Sequence, residues 1–120
     1  MTASSLGHLK QEIIRAYNAI NQEMYVGGVR QQRAEILGDK ILILAEHKRI
    51  PVLSVLDTLA PDVAQLADIA LVRENKRKLA EVLESIVGIQ VLTVLKDYDP
   101  ATTLAATLVV FEHPIVTSGG

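Results

Sequence analysis

The chain has 120 residues, of which 49% are hydrophobic and 22% charged, with a formal net charge of -2. This is the size and composition of a single globular domain with a real core, and its acidic balance argues against a nucleic-acid binder, which needs a basic face for phosphates. The absence of cysteine excludes disulfides, thiolate nucleophiles and Cys-ligated metals, and fits a reducing compartment.

In chain order, residues 1–4 read as a loose end, with Ser4 or Ser5 as an N-cap. Leu6, Leu9, Ile13, Ile14, Tyr17, Ile20 and Met24 then recur at spacings of three and four, the apolar stripe of an amphipathic helix from Leu6 to Tyr25. Lys10, Gln11, Arg15, Asn18 and Gln22 fall on the opposite face, and Gly27-Gly28 is the expected stop. Val29 to Leu37 reads as a strand with a polar face, Gly38-Asp39 as a two-residue hairpin turn, and Lys40 to Ala45 as the returning strand. Ile41, Leu42, Ile43, Leu44 and Ala45 form a continuous apolar run, which predicts a central strand buried on both faces.

Pro51 suits the first turn of a short helix over Val52 to Leu59, and Pro61 opens a second one. Helical spacing from Val63 through Ile86 predicts about 27 residues, ~40 Å of helix, longer than the ~26 Å of an eight-residue strand. The expectation is a bend, a break near residues 72–76, or an overhang. Gly88 closes the helix, Ile89 to Lys96 is a third strand, Asp97-Tyr98-Asp99-Pro100 a turn, and Thr103 to Phe111 a fourth strand. The order α-β-β-α-β-β predicts an α+β domain, a four-stranded mixed sheet with helices packed on one face. Residues 1–120 form one domain, with flexible ends at 1–4 and 115–120.

A long helix between the second and third strands is the natural crossover between parallel strands. Parallel strands would bring their C-terminal ends to one edge, so that His47, Lys48 and Arg49 meet Asp97, Tyr98 and Asp99. This constellation is the candidate site for a ligand or partner: Lys48 and Arg49 can neutralise an anion, and His47 can carry a proton near neutral pH. The same residues also suit a salt-bridged corner in which two loops pin each other. A secondary candidate is the basic helix face of Arg73, Lys76 and Arg77, near Glu74, which can pair with Lys78.

No catalytic or cofactor motif is present. His8, His47 and His113 lie too far apart in sequence for a ligand-spaced pair, and Asp97-x-Asp99 falls short of a calcium loop. The Val26-Gly27-Gly28-Val29-Arg30 segment lacks the continuation of a phosphate loop, and no serine sits in a nucleophile elbow. The expectation is therefore no metal, no cofactor and no enzymatic activity. No basic-then-apolar leader and no run near ~20 apolar residues is visible, so a cytoplasmic protein without membrane insertion is expected. A long helix and a two-faced apolar sheet offer more sticky surface than such a chain covers alone, which predicts a homodimer.

Several segments carry a family resemblance: Leu9-Lys10-Gln11-Glu12-Ile13-Ile14 with Tyr17, Asp39 to Leu44, His47-Lys48-Arg49-Ile50-Pro51, Ala70 to Arg77, Gly88 to Val91 and Leu95 to Pro100. Over about residues 6–112 the chain resembles a small bacterial domain family related to the third component of the sodium-translocating membrane-potential-generating system. The resemblance implies an accessory protein whose relative is associated with membrane machinery for cation transport and bicarbonate supply, and hence a protein partner in a membrane transport complex. It implies no catalytic residues. The functional expectation is a non-enzymatic accessory and interaction protein; the alternatives are a sensor of a small anion or ligand at the His47 corner, and RNA binding through the basic helix face.

Overall fold

A computed structural model describes residues 3–25 and 29–115. Seven elements follow in order: α1 (Ala3–Tyr25), β1 (Val29–Leu37), β2 (Lys40–His47), α2 (Pro51–Leu59), α3 (Pro61–Val87), β3 (Val91–Asp99) and β4 (Leu104–Phe111). This is the α+β arrangement and element order that the sequence pattern predicts. Ser4 and Ser5 lie inside α1, so neither caps it from outside. The Gly27-Gly28 stop lies outside the described residues, as do residues 116–120. Ile115, expected in the flexible tail, is buried, and its N–H donates to the Gly38 carbonyl at 2.9 Å.

The sheet order is β1-β2-β4-β3. All three neighbouring pairs are antiparallel, which corrects the expectation of a mixed sheet. β4 inserts between β2 and β3, so these two run in the same direction without touching. Their C-terminal ends therefore share one edge, as the crossover argument requires, although the pairing it assumed is absent. Gly38, at φ 64, makes the β1–β2 turn; an ordinary side chain would be strained there. Arg30 and Arg33 bracket a bulge in β1, and Gln31 inside it has φ 50.

Alternation divides the sheet into two unlike faces. On the inner face Ala34, Ile41, Ile43, Ala45, Val109 and Phe111 pack against Leu9, Ile13, Tyr17 and Ile20 of α1 and Leu79 and Leu83 of α3. Each such side chain taken from water contributes roughly 1.5–3 kcal/mol. On the outer face Leu44, Leu95 and Leu104 are exposed. The β2 run is thus buried on one face only, because both long helices lie on the same side of the sheet.

α3 is continuous over 27 residues, with no break at 72–76. It ends at Gly88 in the left-handed conformation (φ 78), whose N–H donates to the Glu84 carbonyl. Its first turns run beyond the sheet and are accompanied by α2, which explains a longest dimension of 55 Å against 24 and 21 Å. No described helix is long and apolar enough to cross a membrane.

Candidate ligand-binding cleft

The shared edge of β2 and β3 opens into a cleft between the sheet, α2 and α3. His47, Tyr25, Arg49, Leu53, Asp68, Lys96 and Tyr98 are among its walls. Small inner-face residues near this edge leave the room: Ala45 and Ala105 are directly paired, and Ala105 lines the cleft.

All three tyrosines of the chain surround His47. The rings of Tyr17, Tyr25 and Tyr98 stand edge-on to the imidazole, with centroids 5.6, 6.1 and 6.0 Å away. The backbone of His47 is also fixed: its N–H donates to the Thr103 carbonyl at 2.8 Å, and its carbonyl accepts from the Tyr98 hydroxyl at 3.1 Å. Thr103 itself adopts φ 62, an unfavourable conformation for a β-branched residue, and so places strain beside the cleft.

Lys96 anchors a buried polar network. It lies on the inner face because it continues the alternation Val94, Lys96, Tyr98. Its Nζ donates to Asn75 Oδ1 at 2.8 Å and to the Tyr17 hydroxyl at 3.1 Å. Asn75 Nδ2 donates to Asn21 Oδ1 at 3.3 Å, and Asn21 Nδ2 to the Tyr17 carbonyl at 2.6 Å. Tyr17 also meets His47 Nε2 at 2.5 Å. The ammonium can only donate, so the Tyr17 oxygen accepts from Lys96. The phenol is thus bonded to both Lys96 and His47, and the Thr107 hydroxyl lies close to it as well. His47 joins this network as a neutral imidazole.

The electrostatics agree with that assignment. Burial, and secondly the Lys96 charge, push His47 down to about 4. Burial alone lowers Lys96 to about 8, so at neutral pH it still carries most of its charge. Burial also raises Tyr17 above its ordinary value and pushes Tyr25 up to about 12, so both phenols stay protonated.

The six expected site residues separate into different environments. His47 and Tyr98 are in the cleft wall, and Lys48 is exposed at its rim. Arg49 also lines the cleft, but it is engaged by Asp57 and Asp68: four hydrogen bonds of 2.7–3.0 Å join the guanidinium to the two carboxylates. Its side chain is only 11% exposed, and its cation also lies 5.9 Å from the Tyr98 ring centroid. Asp97 falls on the outer face, and its carboxylate accepts from the Tyr98 N–H at 2.9 Å. Asp97 to Asp99 is the end of β3 rather than a turn, because these residues pair with Ala106, Ala105 and Leu104. Asp99 organises the turn that follows, accepting from the Ala101 N–H at 3.1 Å and the Thr102 hydroxyl at 2.9 Å. The corner is therefore pinned by Tyr98 and by acids of α2 and α3, not by Asp97 and Asp99.

The basic helix face is also divided. Arg77 pairs with Glu74 and Glu81, and Lys78 with Glu23 of α1 rather than with Glu74. Arg73 and Lys76 border a separate shallow groove. Among the described residues no group of three or more His, Asp or Glu side chains is placed to hold a metal ion.

Pattern reading misses Asn75, Lys96, Asp57 and Asp68 as site residues. Two of them leave a signal. Leu71, Asn75, Leu79 and Leu83 are spaced by four, so Asn75 belongs to the buried stripe despite its polar neighbours. Lys96 alternates with Val94 and Tyr98 on the inner side of a strand. Compared with known proteins, the chain matches no protein-family model, no curated protein and no solved structure.

Proposed function

We propose that this is a cytoplasmic, non-enzymatic accessory module whose cleft binds a small oxyanion, with Lys96 as the charge that recognises it. One observation carries the reading: Lys96 is a half-buried ammonium with no carboxylate in salt-bridge reach among the described residues. A buried charge without a counter-charge is costly, and the cost is offset when an anion enters.

Donor and acceptor accounting supports the same reading. Lys96 has three N–H donors, and two are engaged. The Tyr25 hydroxyl also lacks a partner among the described residues, while the Asp68 oxygens are both taken by Arg49. The unengaged groups are donors, so the complementary ligand is rich in acceptors. Ile50, Leu53, Leu71 and Val72 add apolar wall, which suits a small carboxylate as well as bicarbonate. Bicarbonate also fits the transport setting implied by the family resemblance, in which such a module would report anion supply to a membrane partner.

Calorimetric titration with bicarbonate, acetate, butyrate and phosphate tests the proposal. Saturable binding is expected for at least one anion, lost in Lys96→Met, retained in the rim variant Lys48→Ala, and weakening above about pH 8 as Lys96 loses its proton. Absence of binding by all four, or binding indifferent to Lys96→Met, would sink it.

A further inference from the structure

We infer that the open face of the sheet is covered by the same face of a second copy of this chain, related by a two-fold axis parallel to the strands. This goes beyond the cleft, which lies on the other side of the sheet.

In an antiparallel sheet, directly opposed residues point to one face, so the pairing register gives that face row by row. One row runs Glu35, Leu42, Leu108, Leu95 from β1 to β3. The next runs Arg33, Leu44, Ala106, Asp97. Exposed leucines are spread over the face: Leu44 (41%) on β2, Leu95 (55%) on the edge strand β3 and Leu104 (56%) at the start of β4, in a row with Arg30, Glu46 and Asp99. Four strands about 4.8 Å apart and about 26 Å long make a face of roughly 500 Å². Two such faces together supply roughly 1,000 Å², the size at which a specific interface becomes credible.

Charge placement selects the occupant and its orientation. Arg33 and Asp97 stand at opposite ends of one row. A two-fold axis parallel to the strands lays β1 of one copy over β3 of the other and keeps each row over itself. Arg33 then faces the Asp97 of the partner, twice per dimer. A two-fold axis perpendicular to the strands instead lays β1 over β1 and gains no such exchange. Both end groups are available: Arg33 uses its Nε for Glu35 at 2.8 Å, which leaves its terminal nitrogens unengaged among the described residues. Glu35 is drawn toward Lys10 of α1 at 3.3 Å. Sheets packed this way sit about 10 Å apart with their leucines interdigitated.

Sedimentation equilibrium over 1–100 μM tests the inference. The wild-type chain is expected to dimerise, and Leu108→Glu to be monomeric with an unchanged far-ultraviolet dichroism spectrum. Arg33→Asp and Asp97→Arg should each weaken the dimer at least tenfold, and the double charge swap should restore most of the loss. The exposed positions 33 and 97 keep the test informative should Leu108→Glu fail to fold. A wild-type monomer at all concentrations overturns the inference. So does a dimer that ignores the sheet variants but dissociates in Leu59→Asp or Leu66→Asp, which would place the interface on the α2–α3 arm.

Discussion

Arg49 and Lys96 line the same cleft, yet the protein treats them in opposite ways. Arg49 is held by two carboxylates from two helices in a geometry that suits its planar fork. Lys96 is given an amide oxygen and a phenol, and no opposite charge. A cation whose charge is matched within the fold acts as a joint: Arg49 ties the start of the α2–α3 arm to the end of β2. A cation left unmatched in a buried place is available to something from outside. The comparison shows that Arg49, conspicuous in the sequence, is already matched within the fold, whereas Lys96 is not.

The contrast can be broken at several points. The largest effect is expected for Arg49→Met, which removes all four hydrogen bonds to Asp57 and Asp68 and with them the tie between β2, α2 and α3; a loss under about 0.5 kcal/mol by denaturant titration would show that the joint is dispensable. Next is the acid limb of the stability profile. His47 titrates lower in the folded protein than in the unfolded chain. Its contribution is therefore complete above the unfolded value near 6.5 and is lost as pH falls toward about 4. About 2 kcal/mol should disappear across that window, and His47→Gln should flatten it.

Lys96 acts in the same sense at higher pH, and its removal should have the opposite sign to that of Arg49. Its depressed titration means that the charged form weakens the empty protein, so stability should rise between about pH 8 and the unfolded value of 10.5. Lys96→Met should abolish that rise and stabilise the unliganded protein at pH 7 by about 1–2 kcal/mol, net of the lost hydrogen bonds. Destabilisation instead would make Lys96 a structural residue like Arg49. Smallest is Tyr98→Phe, which removes the bond to the His47 carbonyl and should lower stability by about 1 kcal/mol, measurable as a shift in Tm.

Much of the fold is readable in the sequence because it is local. The Gly38-Asp39 turn, the proline starts of α2 and α3 and the Gly88 stop are short-range signals, and each sits where the pattern places it. The insertion of β4 between β2 and β3 is a pairing between distant segments, and alternation within a strand does not encode its neighbour. For the same reason the bare outer face is invisible: Leu42 and Leu44 read as buried because the run does not say which sides the helices cover. At the site, the shared edge places His47 with Tyr98 correctly. It gives the wrong carboxylates, because Asp97 and Asp99 are nearest in sequence to that edge, whereas Asp57 and Asp68 arrive through the return of α2 and α3. Asn75 is hidden by its charged neighbours, although its spacing from Leu79 and Leu83 is that of the core.

The unbroken α3 helix has a mechanical consequence. Along one rod it carries Asp68, which holds Arg49; Asn75, which holds Lys96; and Glu84, whose carboxylate accepts the Val91 N–H at 2.8 Å where β3 begins. The three ties are about 10 and 13 Å apart on a helix rising about 1.5 Å per residue. An axial slip of the rod would strain all of them together, so an anion bound at Lys96, as proposed, should be felt at both ends without any hinge. Amide exchange offers a direct reading of this: the central turns of α3 and the whole of β3 should slow in concert when an anion enters, as one cooperative unit.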